Sequence, residues 1–385
     1  MLLLKKHPEL LKDIEKESSL TVIHSWAWAG KLWPFKCLTK IESDKIGQHW
    51  RSYLVNHLHT IESFHANNPL HCAASFSKGD GNDEEEVVQV IKFLIEVYEY
   101  ESNKGKFQQE EGLISSSKKL LPPWYMANNI GQTPLHLAIQ TSDEIALYLL
   151  SKIDSPQHLV GENPLFLAME LGRLAIVEKI IGLMECNVGW REFVYCRGGN
   201  ILHVAAYYKE DVGTLLVDKL PEHINERNIE GKTPLEVASE FGAPWLVKSL
   251  LLKNPSCITK APFSWIGPCK KAHFHMPTLK AFIDHCPNFQ KLCLEQKDTP
   301  LHHIQLETCK EYSDFLMIPL IRGMKNMVDS DGATPLHRAI ERKDMAFVES
   351  LFMTNWVFRD IKDNRGKTAL DLLAELCDHD NIWTV

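Results

Sequence analysis

The sequence predicts an all-α array of stacked helix-turn-helix units. Three observations predict it. A six-residue phrase recurs along the chain, its copies stand about 33 residues apart, and a turn rich in Asn, Asp and Gly precedes many of them. Strong copies start at Thr133 (TPLHLA), Thr233 (TPLEVA), Thr299 (TPLHHI), Thr334 (TPLHRA) and Thr368 (TALDLL). Looser copies start at Asn68 (NPLHCA), Asn163 (NPLFLA) and Asn200 (NILHVA), and the most altered at Thr21 (TVIHSWA).

Each part of the phrase has a physical role. Thr or Asn is a good N-cap, accepting from a backbone N–H one turn into the helix. Proline suits the first helical position, where no N–H is needed. Leu135 and Ala138, three apart, share one helix face, and the small alanine lets helices approach closely. A second helix follows, as in DMAFVESLFM (344–353), where Phe347, Leu351 and Phe352 keep helical spacing. The turns NNIG, RNIEG, VDSDG and IKDNRG then lead into the next unit, with glycine at a positive-φ position. One such unit cannot bury its own apolar face, so stacking supplies the core.

Spacing locates the irregular parts. The starts at 133, 163, 200 and 233 lie 30, 37 and 33 apart, and those at 299, 334 and 368 lie 35 and 34 apart. The interval from 233 to 299 is 66, twice 33, which predicts a degraded copy near Ile266. There the motif is lost, but Leu279, Phe282 and Ile283 keep the second-helix pattern. The organisation expected is divergent repeats over 1–100 with an insertion near 35–60, a long loop over 101–127, repeats over 128–378 with the degraded one near 264–290, and a tail over 379–385. A masked repeat is the alternative reading of 101–127.

Composition narrows the function. Of 385 residues, 44 % are hydrophobic and 24 % charged, ordinary for a folded protein, and the length exceeds one compact core. A net charge of −8 gives no reason to expect a nucleic-acid partner. The start MLLLKKHPELLKDIEKE lacks the apolar run of a secretory signal, and no stretch approaches the roughly 18 apolar residues of a membrane span. Ten cysteines without a CxxC pair fit a reducing compartment. The expected location is therefore cytoplasmic.

Candidate chemistry is sparse. His24, His71, His136, His203, His302 and His337 share one slot of the phrase. Successive units in such a stack are ~10 Å apart, too far for shared metal ligation at about 2.0–2.1 Å. The same slot accepts Phe166, Glu236 and Asp371, which a catalytic role would not survive. Cys269, His273, His275 and Cys286 form a His-x-His with flanking cysteines, a zinc-type set, but with no standard finger spacing. DGNDEEE (80–86) lacks the Gly and Glu positions of a calcium-binding EF-hand loop and reads as an acidic helix start. There is no G-x-S-x-G, P-loop, HExxH or kinase set, so no enzyme class and no cofactor is expected.

The phrase and its period resemble the ankyrin repeat, whose signature is T-P-L-H-x-A, over roughly residues 15–378. The resemblance implies a solenoid of about nine or ten repeats with β-hairpin tips, a buried linking histidine, and a protein partner bound on the concave face. Carried over slot by slot, it assigns partner binding to Trp28, Phe76, Gln140, Thr141, Tyr207, Tyr208, Glu240, Phe241, Glu341 and Arg342. It also offers tips at Asn128, Asn129, Asn228, Glu230, Ser330, Asp331 and Asn364. LLKNPSCITK, HPELLKDIEKES and NRGKTALDLLAEL further resemble plant ankyrin proteins of the accelerated-cell-death type. Those carry a C-terminal membrane domain and act in immune signalling, which implies work at the cytoplasmic face of a membrane. The decayed motifs also fit a bacterial ankyrin effector that docks a host protein.

Overall fold

The computed structural model describes residues 20–39, 49–75, 83–110, 121–186, 188–196, 198–269 and 275–380. They fall into two compact units that divide between Val194 and Tyr195. Both are helical, and each is a two-layer stack of paired helices.

In the first unit the inner layer is α1 (Val22–Trp28), α4 (Pro69–Ala74), α6 (Pro134–Thr141) and α8 (Pro164–Glu170), each packed on the next. The outer layer is α5 (Glu84–Glu110), α7 (Asp143–Lys152) and α9 (Leu174–Cys186). The predicted insertion near 35–60 contains α2 (Leu32–Thr39) and α3 (His49–His57), which pack on α5. A short helix α10 (Val188–Arg191) closes this unit. The long loop expected from residue 101 is corrected in its first part. Helix α5 continues to Glu110, because ESNKGKFQQE is rich in the helix formers Glu, Lys and Gln. At its return, the 3₁₀ turn Pro123–Tyr125 buries Trp124 and Tyr125.

In the second unit a hairpin of β1 (Tyr195–Cys196) and β2 (Gly199–Asn200) leads into α11 (Ile201–Val204). The inner layer continues through α13 (Pro234–Phe241), the 3₁₀ turn Ser264–Cys269, α18 (Pro300–His303), α21 (Pro335–Glu341) and α23 (Ala369–Asp380). Outside it, α12 (Glu210–Lys219), α14 (Pro244–Lys253) and α16 (Met276–His285) pack in succession, as do α19 (Cys309–Leu316) and α22 (Met345–Met353). Short helices α15 (Cys257–Lys260), α17 (Phe289–Gln296) and α20 (Pro319–Arg322) connect them. Where the degraded copy near Ile266 is expected, the 3₁₀ turn Ser264–Cys269 stands in the inner layer and α16 follows it in the outer one.

The core follows the phrase. Leu70, Leu135, Leu165, Leu202, Leu235, Leu301 and Leu336 are buried, as are Ala73, Ala138, Ala168, Ala205, Ala238 and Ala339. In the turns, Gly131, Gly231, Gly332 and Gly366 have φ of 81°, 76°, 74° and 79°, a region that favours glycine. Asn128, Asn228, Asp329 and Asp363 each accept two turn N–H bonds on Oδ1, which closes the hairpin. The side chains of Asn128 and Asn228 are therefore occupied within the tip rather than offered outward.

The linking histidine does two jobs. At Thr133, Thr299 and Thr334 the N-cap backbone N–H donates to the histidine Nδ1 at 3.1 Å, completing a capping box. The opposite ring nitrogen reaches the turn of the next unit. Nε2 lies 2.9 Å from the Gln132 carbonyl in His71, 2.6 Å from Glu162 in His136, 2.9 Å from Lys232 in His203 and 3.2 Å from Lys367 in His337. A carbonyl only accepts, so Nε2 carries the proton and Nδ1 is the acceptor. His24 and His302 repeat the arrangement on Thr60 and Ala333. Burial holds His24, His136, His203 and His302 below the usual histidine range and lowers His71 to about 4, which favours the neutral ring.

Candidate partner-binding groove

The seam between α13 and the 3₁₀ turn Ser264–Cys269 differs from those closed by a linking histidine. The slot of the linking histidine holds Glu236. Its Oε2 accepts from the Thr233 N–H at 2.7 Å and the Thr233 hydroxyl at 3.0 Å, so the cap is preserved. A carboxylate has no proton for a carbonyl of the next unit. The tie across this seam is made instead by the Ser239 hydroxyl, which donates to the Ser264 carbonyl. Where a full helix would stand, the sequence SWIGPC makes only a short 3₁₀ turn containing Gly267 and Pro268. A side-chain methyl at Gly267 would lie 3.6 Å from Glu240 Cγ, so the backbone runs close beside α13.

The result is a groove of about 590 Å³ lined by Tyr207, Glu236, Val237, Glu240, Phe241, Phe263, Ser264, Ile266 and Gly267. The rings of Tyr207 and Phe241 stand 4.4 Å apart at 59°. Tyr207, Phe241 and Phe263 are 61 %, 52 % and 53 % exposed, a cluster of large apolar surfaces left open to solvent. Glu240 pairs with Lys232 at 2.7 Å, and that hydrogen bond raises the lysine above its ordinary range. The Ser264 hydroxyl is buried and has no hydrogen-bond partner among the described residues.

Three of the residues assigned from the sequence, Tyr207, Glu240 and Phe241, meet here. Tyr208 is half-buried and does not line the groove. Glu341 lies elsewhere in the second unit, in a groove of about 230 Å³ with Ile340, Arg365, Lys367, Leu372, Glu375 and Leu376. Its carboxylate accepts from Arg338 at 2.8 Å and from Arg365. Arg342 departs from the exposed position expected of it. Its guanidinium donates to the carbonyls of His302 and Ile304, and its Nε is buried. In the first unit Trp28 is 61 % exposed and Gln140 is exposed. Thr141 is turned into the stack, its hydroxyl donating to the Ala74 carbonyl at 2.7 Å. Phe76 lies outside the described residues.

Phe263, Ile266 and Gly267 were not assigned from the sequence. Their signal is the loss of the phrase near 266, which pointed to an altered repeat without saying that a groove opens there. In the zinc-type set, His273 lies outside the described residues. Cys269 is buried with its thiol directed to the Trp265 carbonyl at 3.4 Å, and His275 Nδ1 lies 2.8 Å from the Thr278 hydroxyl. Among the described residues no three His, Cys, Asp or Glu side chains converge to hold a metal ion. Nor is any described helix long and apolar enough to cross a membrane.

Residues 165–261 match the family model for ankyrin repeats in three copies. Among solved structures the chain is similar to the ankyrin repeat domain of Bcl-3, described as a unique member of the IkappaB protein family. The identity is 18 %, covering 80 % of this chain and 94 % of that one, with a TM-score of 0.34.

Proposed function

We propose that this ankyrin-repeat protein is a non-catalytic recognition module that docks a protein partner in the Tyr207–Phe241–Phe263 groove. The observation that carries this reading is the clustering of three half-exposed aromatic rings at a seam where a 3₁₀ turn stands in place of an inner helix. A few residues carry most of the binding energy at protein interfaces, and aromatic side chains such as tyrosine are enriched among them.

The wider setting we propose is immune signalling, in the cytoplasm or at the cytoplasmic face of a membrane. The support for that setting is the resemblance of LLKNPSCITK and NRGKTALDLLAEL to the plant accelerated-cell-death type.

Photocrosslinking tests the docking site. A photoreactive amino acid in place of Phe241 captures the partner, whereas one in place of Leu252, exposed on the outer helix α14, does not. Equal capture from both positions, or capture only from Leu252, removes the groove from consideration.

A further inference from the structure

We propose that the group this groove selects is cationic: a lysine or arginine side chain presented by a segment of the partner protein. The inference rests on the docking role proposed above. Its starting point is the chemistry of the lining. Three aromatic rings and two carboxylates, Glu236 and Glu240, face the space, and among the described lining residues no side chain is basic. Ring faces attract cations through their quadrupole, and desolvation in a concavity strengthens the attraction. The carboxylates add direct charge complementarity and oppose an acidic occupant.

Both carboxylates have capacity to spare. The Glu236 Oε2 is taken by the cap of α13, while its Oε1 has no donor among the described residues. Glu240 is held by Lys232, an exposed pair of the kind that contributes little. Lys232 also lies 3.3 Å from Glu230, so it keeps a carboxylate partner when an incoming cation takes Glu240. Arg227, 3.7 Å from Glu236, is anchored elsewhere by the Lys260 carbonyl at 2.7 Å and by the Gly231 carbonyl, and is not part of the lining. The absence of a side chain at Gly267 keeps the wall beside Glu240 thin.

The test uses phage-displayed twelve-residue peptides, randomised at every position and selected on the full chain. The expected result is enrichment of Lys or Arg at one position of the selected peptides. Replacing that residue by Gln weakens binding about tenfold, and so does Glu236→Gln combined with Glu240→Gln in the protein. Glutamine keeps the acceptor oxygen of the capping box, so the double variant retains its fold, which thermal unfolding reads directly. If it does not fold, Glu240→Gln alone is measured, since Glu240 has no part in the cap. Peptides that lose affinity on Tyr207→Ala but keep it in the Gln variant overturn the cationic selectivity and leave the docking role standing. Failure to select any peptide sensitive to Tyr207→Ala overturns both.

Discussion

At His337 and at Glu236 the same helix start leads to two different seams. Thr334 and Thr233 are both N-caps, with proline next and a buried leucine after it. At His337 the third helical residue caps its own helix and also donates to the Lys367 carbonyl of the next unit. At Glu236 it caps only, and the neighbouring element is a 3₁₀ turn in place of a helix. The complete phrase closes a seam with one side chain that serves two units. The incomplete phrase keeps the helix and gives up the closure, and the space it leaves is the groove.

Of the substitutions, breaking the regular seam has the largest expected effect. His337→Ala leaves the part-buried Lys367 carbonyl without its donor and removes half of the capping box, at a cost of about 2 kcal/mol. Glu236→Ala removes a cap alone, at about 1 kcal/mol. Urea unfolding followed by far-ultraviolet circular dichroism measures both, and equal losses would show that the link across the seam contributes nothing beyond the cap.

Acid probes the same contrast without mutation. Burial lowers His71 from 6.5 to about 4, so between those values the unfolded chain binds more protons than the folded one. This contribution to stability is intact above about pH 6.5 and is lost as pH falls toward 4, by a total of about 3 kcal/mol. Hydrogen exchange near pH 5 should therefore show α4 and α6, on either side of the His71 link, losing protection before the Ser264–Cys269 turn, to which Glu236 offers no such link. Uniform loosening would contradict the assignment of the acid sensitivity to the linking histidines.

The smallest effect is expected from restoring the regular residue. Glu236→His supplies the donor but not the turn carbonyl that receives it in a regular unit, so stability should change by less than about 1 kcal/mol while the groove loses a carboxylate. A gain as large as the loss at His337 would mean that residue choice at 236, rather than the shortened element at 264–269, opens the seam.

Most of the scaffold was legible in the sequence because it is periodic. The N-caps, the buried leucines and alanines, the glycines of the turns and the slot of the linking histidine all follow from one phrase and one spacing. The same counting placed Tyr207, Glu240 and Phe241 on the inner surface, where they meet. Phe263, Ile266 and Gly267 escaped because they lie where the period lapses and no slot assigns them a direction. Arg342 shows a different limit. A slot fixes where a Cα points, but a long side chain can turn back to unpaired carbonyls, here those of His302 and Ile304. Thr141 was misplaced for a related reason, since a hydroxyl at a helix end bonds readily to nearby backbone. The extension of α5 to Glu110 followed local helix preference past the point where the repeat period expects a turn.

The ring N–H held at each linking position has a spectroscopic consequence. A buried imidazole whose N–H is held by a carbonyl exchanges slowly with water, so its proton and nitrogen resonances persist where those of surface histidines vanish. His24, His71, His136, His203, His302 and His337 each carry one such proton, and each reports on one junction of the array. The protein is thus supplied with its own label at every regular junction. The junction after Glu236 is silent, and a ligand held there would be sensed through the flanking signals of His203 and His302.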